Sequence, residues 1–127
     1  IHAIGTSVPA ELKQPHGLLM AAISPIGIEY NYVAKPEKYA IVADILRGEN
    51  RSELPDIERA RDASKAFLSM LEDLNIEPGL KPYGVEPGDL QGIAARAAQA
   101  KRLMDNNPRK GDSGELYALL EAQYDAY

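Results

Sequence analysis

The run from Pro15 to Tyr32, PHGLLMAAISPIGIEYNY, limits the possible folds more than any other stretch of the chain. Leu18, Leu19, Met20, Ala21, Ala22, Ile23, Ile26 and Ile28 place apolar groups nearly all round a helix. A helix without a polar face belongs at the centre of a fold, so the remaining elements are expected to wrap it. Pro15 suits the first helical turn, where a missing N–H costs nothing. Pro25 predicts a kink, because its ring removes one backbone bond and crowds the preceding turn.

The rest of the sequence reads all-α. No segment alternates apolar and polar residues over a strand's length, and no Asn-Gly or Asp-Gly hairpin turn occurs. Residues 1 to about 7 look like the tail of a helix, and Val8 to Gln14 form a loop bounded by Pro9 and Pro15. Pro36 opens a helix that stops at Gly48, with Tyr39, Val42, Ile45 and Leu46 as its expected buried stripe. A longer helix is predicted from about Leu54 to Leu74. Ile57, Ala60, Ser64, Phe67, Met70, Leu71 and Leu74 form its inner face, and Glu58, Arg59, Arg61, Asp62 and Lys65 a mostly solvated one. Asn75 to Gly84 is turn-rich. Glu86-Pro87 starts a helix striped with Leu90, Ile93, Ala94, Ala97 and Ala98. Asp105 to Gly111 is a loop, and Asp112 with Glu115 has capping-box spacing before a last helix from about Ser113 to Asp125. The expectation is one compact bundle of five to six helices over residues 1–127.

Bulk properties exclude several roles. A chain of 127 residues with 45% hydrophobic and 26% charged residues can bury a core without staples. The absence of cysteine removes disulfides, thiolate metal sites and cysteine nucleophiles. A net charge of −5 argues against nucleic acid, whose binding needs a basic footprint. No apolar run approaches the roughly 18 residues of a membrane span, so no membrane role is expected. No secretory leader is visible, which makes the cytoplasm the expected location, and the opening Ile points to a trimmed or processed chain. No G-x-G-x-x-G fingerprint follows a strand, so any dinucleotide-binding half lies elsewhere.

His2 and His16, both histidines of the chain, stand fourteen residues apart and flank the Pro-bounded loop. Imidazole is the commonest neutral metal ligand, so two of them brought together from two helix ends form a candidate metal site. Two unrelated histidines are the plainer alternative on spacing alone. The text around them adds to this. His2, Pro15, His16, Gly17, Ala21, Pro25, Tyr30 and Asn31 fall in an ungapped ordered series, followed by Glu37-Lys38-Tyr39, Gly84-Val85 and Asn107-Pro108-Arg109. That series resembles the C-terminal helical, metal-binding domain of the iron-containing (group III) alcohol dehydrogenases, over essentially the whole chain. The fold it implies is the C-terminal half of the dehydroquinate synthase-like/iron alcohol dehydrogenase fold.

The resemblance implies an N-terminal Rossmann-like domain with NAD(P) in the cleft between the two. It also implies one divalent cation, Fe²⁺ or sometimes Zn²⁺, held by an Asp and three His. His2 and His16 match two of these ligands, with Gly17 allowing close backbone approach beside the metal. The other two ligands belong to an upstream Asp-x-x-x-His helix absent from this sequence. In the family the cation polarises the oxygen of a small alcohol or aldehyde while hydride passes to or from the nicotinamide. Thr6 stands where the family has a histidine near the nicotinamide, which makes it the candidate cofactor-side residue, although it cannot relay a proton as imidazole does. Ser7-Val8-Pro9 replaces the usual Pro-Leu-Gly, and Met20 replaces a common Asn. Two imidazoles are too few for tight binding of Fe²⁺ or Zn²⁺, so the chain alone is expected to hold neither metal nor NAD(P) firmly and to have little or no dehydrogenase activity. The expected partners are the N-terminal NAD-binding domain of a parent enzyme, or a second copy of the chain pooling its histidines. The competing expectation is a stand-alone, catalytically inactive helical module acting in self-association or partner binding.

Overall fold

A computed structural model describes all 127 residues and contains α-helices, short 3-10 turns and no strand. In chain order the α-helices are α1 (His2–Gly5), α2 (His16–Asn31), α3 (Pro36–Arg47), α4 (Asp56–Arg61), α5 (Ala63–Asp73), α6 (Leu90–Gln99), α7 (Lys101–Met104) and α8 (Ser113–Tyr124). Helices α4 and α5 adjoin at Asp62, and α6 and α7 at Ala100. Counted as two broken helices, these pairs leave six, as the sequence predicts.

Helix α2 is the axis. Leu19, Ala22, Ile23 and Ile26 enter the main core with Ala3 and Ile4 of α1, with Leu80, Tyr83 and Val85, and with the inner faces of α6 and α8. Ile28 enters a second, smaller core with Ala43 and Ala63, against which Tyr39 and Phe67 pack. The all-round apolar character of α2 follows from serving both. The helix runs on through Pro25, and the polar groups near the proline find partners from other elements. Ser64 Oγ donates to the Pro25 carbonyl at 3.2 Å, and the Gly79 N–H to the Ala22 carbonyl at 2.8 Å.

Helices α6 and α8 pack closely because Ala94 and Ala97 are fully buried small residues. The predicted capping box forms: the Glu115 N–H donates to Asp112 Oδ1 at 2.9 Å, and the Asp112 N–H to Glu115 Oε2 at 3.3 Å. Gly48 ends α3 in the left-handed region at φ 65°.

Three expectations are corrected. The buried face of α3 is Ala40 and Ala43, whereas Ile45 is 73% exposed and Val42 also faces out. Helix α3 packs against both α4 and α5, and the residues it buries fully there are the small Ala40 and Ala43. The long helix predicted from Leu54 to Leu74 begins at Asp56 and breaks at Asp62, where the N–H bonds back three residues to the Arg59 carbonyl and tightens the turn. Ile57 and Leu74, assigned to its inner face, are exposed.

The charges beside that break do not all form a solvated face either. Arg59 is only 12% exposed in its side chain and bonds Asp44 Oδ2 at 2.6 Å and Asp56 Oδ1 at 2.5 Å. Arg51 bonds Asp44 Oδ1 at 3.1 Å and Asp62 Oδ2 at 2.6 Å. This network ties α3, the following loop, α4 and the break together.

Candidate metal centre

His16 opens α2 directly after Pro15, whose φ of −57° and ψ of 127° turn the incoming loop into the helix. That loop is docked before it arrives. Ala10–Leu12 form a 3-10 turn, Lys13 takes a left-handed conformation at φ 49°, and Gln14 Nε2 donates to the Tyr83 carbonyl at 3.2 Å. His2 opens α1, which lies on α2 through Gly5. A Cβ there would sit 1.7 Å from Met20 Cε, so the missing side chain is what admits the methionine tip. Met20, which departs from the family's polar residue, thus packs α1 onto α2.

The outcome is that the two imidazole rings lie 5.5 Å apart between centroids, tilted by 51°. Nitrogens that share one ion each lie ~2 Å from it, so neighbouring rings at this separation suit two donors on one cation. No group of three or more His, Cys, Asp or Glu side chains elsewhere in the chain offers a fuller set. The donor chemistry, two neutral imidazoles without thiolate, fits Fe²⁺ or Zn²⁺ as half of a coordination sphere.

Around the pair, His2 also lines a depression of about 260 Å³ with Ala3, Tyr39, Leu103, Met104 and Asn106. Burial pushes the Tyr39 phenol above its ordinary range, which disfavours its ionisation near neutral pH. Thr6 is exposed, and its hydroxyl donates to the His2 carbonyl at 2.8 Å, one helical turn from the ligand candidate. A Cβ added to Gly17 meets open space, so no contact within this chain requires glycine there.

At the far end of α2, the Asn107-Pro108-Arg109 loop folds back on Tyr30 and Asn31. Arg109 Nη1 donates to the Tyr30 carbonyl at 3.3 Å, at the C-terminal end of the helix, and its guanidinium lies 4.2 Å from the Tyr30 ring centre. Tyr30 is accordingly an anchor. Its hydroxyl donates to the Lys110 carbonyl at 3.1 Å.

One long-range contact behind α1 has no signature in the sequence. Arg96 Nε and Nη2 donate to the Ser7 carbonyl at 3.1 and 2.7 Å across 89 residues.

Comparison with known proteins places this arrangement in context. Over 127 residues the chain is 51% identical to a sulfoacetaldehyde reductase of Bilophila wadsworthia, covering 99% of this chain and 33% of that protein. It is 30% identical over 124 residues to a 1,3-propanediol dehydrogenase of Klebsiella pneumoniae, covering 98% of this chain and 32% of that protein. An alcohol dehydrogenase from Oenococcus oeni superposes with a TM-score of 0.86 at 31% identity, over 97% of this chain and 32% of that one. A crystal structure of a 1,3-propanediol oxidoreductase gives 0.85 at 30% identity, over 95% and 31%. The chain thus spans about a third of the length of these relatives. Residues 1–124 match the description "Fe-containing alcohol dehydrogenase family, C-terminal", and with the all-helical fold and the paired imidazoles in view, the chain belongs to that family as its C-terminal region.

Proposed function

We propose that residues 1–127 are the metal-side helical domain of an NAD(P)-dependent, iron-type alcohol dehydrogenase that interconverts small aldehydes and alcohols. The observation that carries the proposal is the meeting of His2 and His16 at 5.5 Å from two helix ends. These residues would hold the cation, Fe²⁺ or Zn²⁺, together with donors from a segment outside this chain. When bound, such a cation polarises the substrate oxygen and stabilises the charge that develops on it. The chain's own part is to fix two imidazoles on separate elements and to present the depression beside His2 as one wall of the substrate cleft. The dinucleotide domain is the proposed partner, the cytoplasm the proposed location, and Thr6, one turn from His2, the proposed cofactor-side residue. Thr6 has no ring nitrogen to pass a proton, so its role is that of a small polar contact. The 51% identity to sulfoacetaldehyde reductase makes a short aldehyde with an anionic tail the first substrate to assay.

The test joins this chain to the N-terminal two thirds of that reductase and follows NAD(P)H-dependent reduction of sulfoacetaldehyde with Fe²⁺ present. Activity in the chimera that disappears in His16→Ala supports the proposal. An equally active His16→Ala protein refutes the ligand assignment. The purified 127-residue chain alone is expected to show no cofactor-dependent rate, and a measurable one would contradict the division of labour proposed here.

A further inference from the structure

The two candidate ligands are held in very different ways. His16 belongs to a sixteen-residue helix buried in two cores, while His2 belongs to a helix of four residues, too short to persist unaided. Besides its packing on Met20, α1 is gripped at its exit. The Arg96 guanidinium chelates the Ser7 carbonyl with two N–H groups at 3.1 and 2.7 Å. Ser7, itself buried, donates its hydroxyl to the Ala3 carbonyl at 2.7 Å. Thr6 donates both its N–H, at 2.9 Å, and its hydroxyl, at 2.8 Å, to the carbonyl of His2. A charge-assisted fork on α6 is therefore linked to the backbone of His2 through consecutive residues of one turn.

From this geometry we infer that Arg96 is the positioning residue for His2: by fixing the Ser7 carbonyl it sets the approach of the His2 ring to His16 and so the readiness of the pair to chelate a divalent cation. The inference rests on the metal reading above. It differs from a purely structural role because the fork stabilises one backbone turn rather than a core contact. Its loss should misplace one imidazole while leaving the bundle intact.

The experiment uses the 127-residue chain with two readouts, the ring-to-ring NOE between His2 and His16 and a Zn²⁺ titration followed by imidazole NMR shifts. Arg96→Met is expected to lose the NOE and to weaken Zn²⁺ binding about tenfold, the usual cost of removing a group that orients a metal ligand. Helical content by circular dichroism should be kept. Arg96→Lys, which retains one charged donor for the Ser7 carbonyl, should recover part of both. An Arg96→Met chain that keeps the NOE and binds Zn²⁺ within about twofold of the parent overturns the inference. If the unaltered chain takes up no Zn²⁺, as two imidazoles without the outside donors allow, the chimera with and without His16→Ala decides the metal reading, and the NOE alone decides the role of Arg96. Should Arg96→Met not fold, Arg96→Ala decides in its place. It favours the helix yet removes both donors of the fork, so an unchanged NOE and Zn²⁺ affinity in that variant also overturn the inference.

Discussion

Asn107 Nδ2 donates to Asn31 Oδ1 at 2.8 Å, joining the last residue of α2 to a loop 76 positions away. The same Asn31 oxygen accepts the Arg109 N–H at 3.3 Å, and Asn31 Nδ2 donates to the Gly27 carbonyl at 2.8 Å. One buried amide thus terminates a helix and seats a loop. Replacing it with leucine keeps much of the volume but leaves the loop donors without their acceptor. Asn31→Leu is expected to lower stability by about 1–3 kcal/mol in urea unfolding. A variant as stable as the parent would show that water replaces the amide at no cost.

Gly111 lies under the Tyr30 hydroxyl. An added Cβ would fall 1.9 Å from that oxygen, so Gly111→Ala must displace the ring that carries the Lys110 bond and the Arg109 contact. Overpacking of this kind costs about 1–3 kcal/mol. Removing the hydroxyl relieves the closest contact, so the same substitution made in Tyr30→Phe should cost less. A double-mutant cycle measures the difference, and strict additivity would refute the steric account.

The two faces of α3 should respond to substitution in opposite order to their hydropathy. Ile45→Lys, on the exposed side, should change stability by no more than about 0.5 kcal/mol. Ala43→Leu, at a fully buried position between α3 and its neighbours, should cost about 1–3 kcal/mol. Thermal unfolding of the two variants distinguishes this order from its reverse.

Burial pushes the Asp44 carboxyl up, but the hydrogen bonds it accepts from Arg59 and Arg51 outweigh that and hold it below the ordinary carboxylate range. A carboxyl lowered in the folded state stabilises fully above its unfolded pKa and loses that contribution as pH falls through the folded value. The urea midpoint of the parent should therefore exceed that of Asp44→Asn most clearly near neutral pH, and the gap should narrow on acidification. A gap that widens in acid would assign the effect to other groups.

The central helix was legible because its composition leaves it no other place. The histidine pair was legible through the ordered motif around it, since spacing alone leaves two unrelated imidazoles as the plainer reading. Helix α3 was misread for a physical reason. Hydropathy gives isoleucine more weight than alanine, whereas a close helix contact selects the smaller side chain, so Ile45 drew the assignment that belongs to Ala43. The break at Asp62 left no trace because aspartate is tolerated within helices, and its carboxylate is claimed by Arg51 from outside the segment. The fork from Arg96 ends on a backbone carbonyl, which any residue at position 7 would supply, so no side-chain pattern announces it.

Helix α2 carries His16 on its first turn and Asn31 on its last, a strut about 24 Å long at 1.5 Å per residue. Both cores grip that strut. A swing of α3 to α5 against the remainder would have to bend it or tear one core away, so any opening and closing of the proposed cleft would be hinged outside α2, with the imidazole as the fixed jaw.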